Sequence, residues 1–425
     1  MAATLLAGPT GAATPDSLGG DSQASTTSRT ASSTANRTAA RAKIATQFAL
    51  KAAGYGTRVE GGQLPVVSGQ TAYAVIGCTN KAGMVRKNYE AAVTLPGLGT
   101  VDGVRTKTWT SINYKKHKVA VNSVHNVAKV VLGGTLTIAA VKSHSTTWHD
   151  RKGFHTRAET SIGSIKVGAQ SFPIPTPNQP ITIPGVAKIS LGMHKTKKDS
   201  DGASTYAEAV QVKLLLTDTV VRIAHTAALM GRGITYGRFH GSANGTQVRA
   251  LADNVKSGPT PLSWMPCQGT HGVVKTKSVL GVDLAGQIVV GAVENQQMGK
   301  QNLKKATGFE QSTVAAITLG PLTINAIKAR ANVTRLKGGK MIANADGTTI
   351  GEIVVNGDVT PIPDPGQAIE IPGLLKLEAN VVDKMKYGID VVAIRITLLD
   401  GTGAVIDLGH AKMEIKPSHR VIGGP

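Results

Sequence analysis

Three histidines and one aspartate crowd a short stretch of the chain: His144, His149, Asp150 and His155. Imidazole nitrogens and carboxylate oxygens are proper ligands for zinc and related metals. Their spacing matches no zinc motif of known geometry, so the wet, basic tip of a hairpin is the competing account. They stand as weak metal candidates only, and no metal or other cofactor is expected.

Two further pairs lie in corresponding parts of an internal repeat. Cys78 and Cys267 are the only cysteines. If the copies pack about a pseudo-two-fold axis, these residues meet beside it and can form a symmetric disulfide. Two buried thiols at the same core position remain the alternative. His225 and His410 end runs of alternating apolar residues. Strict alternation puts them on the core face, with Val221 and Ile223 in one copy and Ile406 and Leu408 in the other. A ligand or pH-sensitive group is the functional reading, and a buried neutral imidazole satisfied by backbone is the plainer one. Asp407 is the one carboxylate nearby, and alternation puts it on the opposite face.

Catalytic signatures are scarce. Gly-x-Ser-x-Gly, Ser-x-x-Lys, His-Glu-x-x-His and the phosphate-cradling Gly-x-x-x-x-Gly-Lys-Ser/Thr are all absent. A glycosidase pair of carboxylates would be spatial and leave no spacing in the sequence. The expectation is a protein that is not an enzyme.

The charge is more telling. Forty-seven Lys and Arg against 26 Asp and Glu give a formal net charge of +21. Clusters fall at Lys115, Lys116 and Lys118, at Lys195, Lys197 and Lys198, and at Lys300 with Lys304 and Lys305. These could track phosphates by counterion release, without sequence specificity. No helix-turn-helix, zinc finger or RNA-binding signature accompanies them, so nucleic acid is an unlikely partner and an anionic cell-wall polymer a better one.

These residues sit on a duplicated frame. The chain has 425 residues, of which 41% are hydrophobic and 49 are glycine. The run from Ile174 to Ile189 aligns without gaps on Ile362 to Leu377, nine of sixteen positions being identical at an offset of 188. Leu136-Thr137-Ile138 matches Leu322-Thr323-Ile324, Tyr55-Gly56 is set against Tyr236-Gly237, and Tyr206 against Tyr387. Residues 53–231 and 233–420 therefore read as two copies of one β-domain, with a tail at 421–425.

Each copy reads as β. Val391 to Leu399 is β-branched, Asp400-Gly401-Thr402-Gly403 turns, and a return strand follows. Short apolar runs broken by Gly and Pro favour an all-β, mainly antiparallel sandwich or jelly roll. Residues 38–53 and 122–132 are candidates for the few short helices. No run approaches 18 apolar residues, so no membrane-spanning helix is expected.

The first residues read as an address. Residues 2–8 are short and apolar, and Gly11-Ala12-Ala13 offers a small-residue cleavage site. Residues 1–14 resemble the back half of a secretory signal, and 15–52 a Ser/Thr/Ala-rich leader.

Tyr55-Gly56-Thr57-Arg58-Val59, Ser68-Gly69-Gln70-Thr71-Ala72 and Val75-Ile76-Gly77-Cys78-Thr79 resemble segments of the choice-of-anchor P proteins of actinobacteria. Ile223-Ala224-His225 and Leu408-Gly409-His410-Ala411 fit the same pattern. The resemblance implies secretion and a cell-surface β-domain, with no implied chemistry. The final residues show neither a sortase signal nor an apolar tail, which departs from the family's anchors.

The best-matched stretches are proline-rich arms: Ile174, Pro175, Pro177, Ile181, Ile183 and Pro184, with Ile362, Pro363, Pro365, Ile369, Ile371 and Pro372 as the twin. Proline removes ladder donors, so each arm favours an extended or edge conformation. It can seal its own domain, or lie along another molecule and propagate a filament. The resulting expectation is a secreted, non-catalytic surface protein, self-assembling or bound to wall polymer. A glycan hydrolase and a nucleic-acid binder are the alternatives.

Overall fold

The computed structural model describes residues 43–419, apart from 61–70, 96–97, 175–178, 217–218, 251–254, 257–259, 285–287, 366, 400 and 402. Residues 1–14, most of the leader, the tail 421–425, and Pro175 and Pro177 of the first arm lie outside the described residues.

Every regular element described is a strand, apart from one 3-10 turn at Lys337–Gly339. Four sheets form, and every pairing is antiparallel. The first runs Ile181–Ile183, Ala187–Lys198, Gly202–Leu214, Val220–Arg232, Ile44–Glu60, Ala74–Ala82. The second runs Val85–Leu95, Gly99–Asn113, Lys118–Leu132, Leu136–Asp150, Ser164–Val167, Gln170–Phe172, with Gly153–Ser161 also on Leu136–Asp150.

The third runs Val255–Lys256, Gly237–Ala250, Val405–Pro417, Gly388–Leu398, Leu375–Met385, Ala368–Ile371, with Thr260–Trp264 on Gly237–Ala250. The fourth runs Lys275–Val279, Val293–Gln301, Lys305–Leu319, Leu322–Leu336, Glu352–Val355, Asp358–Thr360. Met341–Asn344 flanks Leu322–Leu336, and Val282–Leu284 with Ile288–Val290 joins Lys305–Leu319.

The central strand order of the first two sheets recurs in the last two. Left-handed residues recur as well: Ala140 and Ala326 (φ 53° and 51°), Gly185 and Gly373 (70° and 71°), Ala224 and Gly409 (56° and 59°). The register corrects two of the sequence matches. Tyr55 opposes His225 as Asn244 opposes His410, so Asn244, not Tyr236, is the counterpart of Tyr55. Tyr206 opposes Ala227 as Asp390 opposes Lys412, which displaces Tyr387.

Each pair of sheets encloses an apolar core. In the N-terminal half, Ile189, Val212, Val221 and Ile223 of the first sheet meet Val101, Val130, Ile138 and Ile165 of the second. A second cluster, with Phe48, Leu50, Ile76, Val121, Phe154 and Met230, closes the other end. Between the two clusters runs a belt of buried polar side chains, including Thr106, Thr108, Ser123, His125, Ser143, Ser145 and Thr226. Inward valines and threonines alternate with outward residues along these strands, which suits a pleated, half-buried surface.

The expected helices are strands. Residues 44–53 belong to Ile44–Glu60, hydrogen-bonded on both sides, and residues 122–132 to Lys118–Leu132 in the middle of the second sheet. Two-sided pairing overrides the helical leaning of their Ala and Lys content. The leader boundary moves accordingly, since residues 44–52 are part of the first sheet.

The arms fold back on their own sheets. Ile181 pairs Ile189 and Ile183 pairs Ala187 around a tight turn at Pro184 and Gly185. Ile369 pairs Leu377 and Ile371 pairs Leu375 in the same way. Ile183 is buried and Ile181 and Ile371 pack against the cores, while Ile174 and Ile362 are exposed. Each arm thus forms a three- or four-residue edge strand that closes its own sandwich.

The halves meet where strand Ala74–Ala82 passes the turn after Thr260–Trp264 and the residues after Val405–Pro417. Cys78 and Cys267 are disulfide-bonded, with Cα atoms 5.8 Å apart. Arg238 Nη1 donates to the Cys78 carbonyl at 2.7 Å. Asn80 and His419 exchange two hydrogen bonds, at 2.9 and 3.0 Å.

A basic and aromatic sheet face as the candidate functional site

The second sheet buries Thr106, Thr108 and Thr110 and, by alternation, turns Arg105, Lys107 and Trp109 outward. Register then builds a lattice on the outer face. Lys87 opposes Lys107, Lys107 opposes Val124, and Val124 opposes His144. Tyr89, Arg105, Asn126 and Lys142 form the next row. Trp148 and His155 oppose one another near the end of the sheet.

Cations sit on the aromatic rings. Lys107 Nζ lies 4.9 Å from the Trp109 centroid and Lys118 Nζ 4.3 Å from that of Trp148. His155 stacks on Trp148 at 5.0 Å and His144 on Trp109 at 6.2 Å. Lys87, Arg105, Lys107, Trp109, Val124 and Asn126 line a shallow depression of about 300 Å³. Exposed Tyr89 stands beside it. Two carboxylates of this face, Asp150 and Glu159, are taken up by near neighbours, and a third, Asp102, is opposed by Lys129. Asp150 accepts from Trp148 Nε1 at 3.2 Å and lies 3.0 Å from His155 Nε2, and Glu159 pairs with Arg157 and His144. The face keeps a cationic excess. At the register equivalents of Arg105, Lys107 and Trp109 the fourth sheet carries Glu294, Gln296 and Met298, so the Lys–Trp pairs are not repeated there, although Arg330 lies 3.9 Å from the Phe309 ring.

The four metal candidates do not converge. His144 bonds Thr146 at 2.8 Å, and burial lowers its pKa, an effect Glu159 only partly offsets. His149 points to the other side of the strand, between Phe48 and Phe154, with Arg232 3.0 Å from its Nε2. Only Asp150 and His155 touch. Among the described residues no three His, Cys, Asp or Glu side chains gather as metal ligands.

His225 and His410 face outward, against expectation. Ala224 and Gly409 are left-handed residues immediately before them, and the alternation inverts at each while the register with both neighbouring strands is kept. His225 stacks on Tyr55 at 4.7 Å and approaches Glu208 at 3.5 Å. His410 bonds Asp390 at 2.5 Å and Asn244 at 3.2 Å, and Lys412 holds the other Asp390 oxygen at 2.8 Å. Asp407 lies on the same face as His410. It is clamped by Arg395 at 2.7 and 3.1 Å and by Arg249 at 2.8 Å. Asp383, Asp390, Asp407, His410 and the two arginines line a cleft of about 410 Å³. Burial works against ionised Asp390, but the bonds from His410 and Lys412 prevail and its pKa is lowered. A glycosidase acid needs the opposite shift. Asp407 has both oxygens engaged by arginine.

The lysine clusters are scattered. Lys115 and Lys116 lie in the hairpin turn before Lys118, and Lys304 and Lys305 flank the corresponding turn in the other half. Lys195, Lys197 and Lys198 extend along the exposed end of Ala187–Lys198. Only Lys118 joins the aromatic face. Arg105, Lys107 and Trp109 alternate with inward threonines along one strand, a period-two signal that could have found them, whereas Lys87 becomes their neighbour only across strands.

No protein-family model matches the chain, and no curated protein matches it. Among the described residues no helix is long and apolar enough to cross a membrane.

Proposed function

We propose that this chain is a secreted, non-catalytic β protein that binds an anionic wall polymer across the outer face of its second sheet. The observation that carries the reading is the coupling of lysines to Trp109 and Trp148 on a flat, cationic surface. Indole rings stack on sugar faces or other planar groups, while Lys87, Arg105, Lys107 and Lys142 meet the phosphates of a repeating polyanion. The Cys78–Cys267 bond supports an oxidising compartment, as does the leader composition. The resemblance to choice-of-anchor P proteins points the same way. Self-assembly enters only through the edge strands and needs no arm exchange.

Binding to polyglycerol phosphate, a neutral glucan and single-stranded DNA tests the reading. Polyglycerol phosphate should bind, with affinity falling as salt rises, and Trp109→Ala or Lys107→Glu should weaken it at least about tenfold. Equal affinity for neutral glucan, or selective binding of DNA, would overturn it.

A further inference from the structure

The C-terminal half buries a set of oxygen atoms that its own side chains do not satisfy. Val293–Gln301 and Lys305–Leu319 pair so that Asn295 opposes Ser312 and Gln297 opposes Glu310, all on the inward face. Asn295, Glu310 and Ser312 are fully buried and Gln297 is 8% exposed. Directly opposed residues have Cβ atoms roughly 4.5–5.5 Å apart, so the four side chains share one small volume.

Four of their five free atoms are acceptors, and the single hydroxyl, Ser312 Oγ, can donate to only one of them. Asn295 Oδ1, Gln297 Oε1, both Glu310 carboxylate oxygens and Ser312 Oγ have no hydrogen-bond partner among the described residues. The orientation of Asn295 is settled, because its Nδ2 donates to the Ala243 carbonyl at 2.9 Å and the Pro261 carbonyl at 2.6 Å. Its carbonyl oxygen is therefore the end turned to the set. Acceptors cannot satisfy one another, and a buried polar group without a partner is costly.

The backbone makes room for the carboxylate. A Cβ on Gly241 would lie 2.6 Å from Glu310 Oε1 and 2.9 Å from its Cγ. In the other half the register equivalents are Ala52 and Ser123, where a larger backbone residue accompanies a smaller side chain. Glu310 is thus accommodated by a specific change in its neighbour. Burial alone pushes the carboxyl well above its usual range, and among the described residues no cation opposes this.

We propose that Glu310, Asn295, Gln297 and Ser312 bind one dehydrated monovalent hard cation, Na⁺ or K⁺, inside the C-terminal sandwich. Hard cations take oxygen ligands, and five atoms from four side chains approach a full shell. One carboxylate balances one positive charge, which keeps the dry interior neutral. A divalent ion would leave a net charge buried in a chain already carrying +21. The role is structural, separate from the basic face of the other half.

Thermal unfolding of the full chain in NaCl, KCl, choline chloride and CaCl₂ at equal ionic strength tests this. The melting temperature should rise with the logarithm of Na⁺ or K⁺ concentration and not with choline, as for any ligand bound only by the folded state. Glu310→Gln should abolish that slope. It should also match or exceed the parent protein in choline, where Glu310 has lost its counterion and must take up a proton or stay unpaired. Atomic emission on the parent protein, folded in NaCl or KCl and filtered into choline buffer, should find one alkali ion per chain, a measurement that survives if the variant does not fold. Melting temperatures independent of cation identity, a response to Ca²⁺ alone, or no retained alkali ion would overturn the proposal.

Discussion

Ala224 and Gly409 hold the same left-handed backbone, with φ 56° and 59°, one residue before His225 and His410. The two halves thus solve one problem differently, alanine at a strained position in one and glycine in the other. Gly409 is also crowded: a Cβ there would lie 3.2 Å from Ile327 Cγ2 and 3.4 Å from Ala393 Cβ. Gly409→Ala should cost about 1–2 kcal/mol in urea unfolding, from left-handed strain plus that contact. Ala224→Gly should be close to neutral or stabilising. If both substitutions destabilise equally, the left-handed residue is not what distinguishes the halves.

The disulfide closes a loop spanning 189 residues of sequence separation and ties the two halves directly. Cross-links of such loops constrain the unfolded chain by about 3–5 kcal/mol, less any strain in the fold. Replacing Cys78 and Cys267 together by serine should lower the melting temperature without changing the far-ultraviolet spectrum. Intact mass with and without reductant should differ by two hydrogens, and alkylation should find no free thiol until reductant is added.

Acid should weaken the fold through two histidines. Burial, then the charge of His225, lowers the His125 pKa to about 3, and burial with Lys416 and Arg238 lowers that of His240 to about 4. Both folded values lie below the ordinary 6.5, so the folded state prefers neutral imidazole. Their contribution is complete above pH 6.5 and is lost as pH falls towards 4 and then 3. The double variant His125→Gln, His240→Gln should flatten the stability curve between pH 6.5 and 4. An unchanged slope there would show that other groups govern acid unfolding.

The sheets were legible because β-branched runs, turn residues and the repeat all agree on strands. The face of a given side chain was not, because one left-handed residue reverses it. Ala224 carries no sequence mark of a left-handed backbone, and Gly409 could have been read as a turn, so both histidines were placed inward. The aromatic face was hidden for another reason: Lys87, Lys107, Val124 and His144 are far apart in sequence and adjacent only through register. The polar interior escaped because buried Asn295, Gln297 and Glu310 look like surface residues when alternation is read with no partner sheet in view.

The proline arms give a prediction that separates folding from assembly. Ile183 is 4% exposed and seals one end of the first sheet, and Ile371 does the same for the third from a half-buried position. An aspartate at 183 would be buried without a cation among its core neighbours, Ala187, Ile189 and Val212. Ile183→Asp should therefore destabilise by about 3 kcal/mol or more, from lost burial and an unpaired charge. Ile371→Asp, able to reach water, should cost less. Ile174 and Ile362 are exposed and outside the hairpins, so Ile174→Asp and Ile362→Asp should leave stability within about 0.5 kcal/mol. Light scattering at high protein concentration then isolates assembly. If the native chain forms particles larger than a monomer and only the exposed pair of substitutions reduces their size, the arms bridge molecules through their free ends. If particle size changes only in the variants that lose stability, the arms do no more than close their own sandwiches.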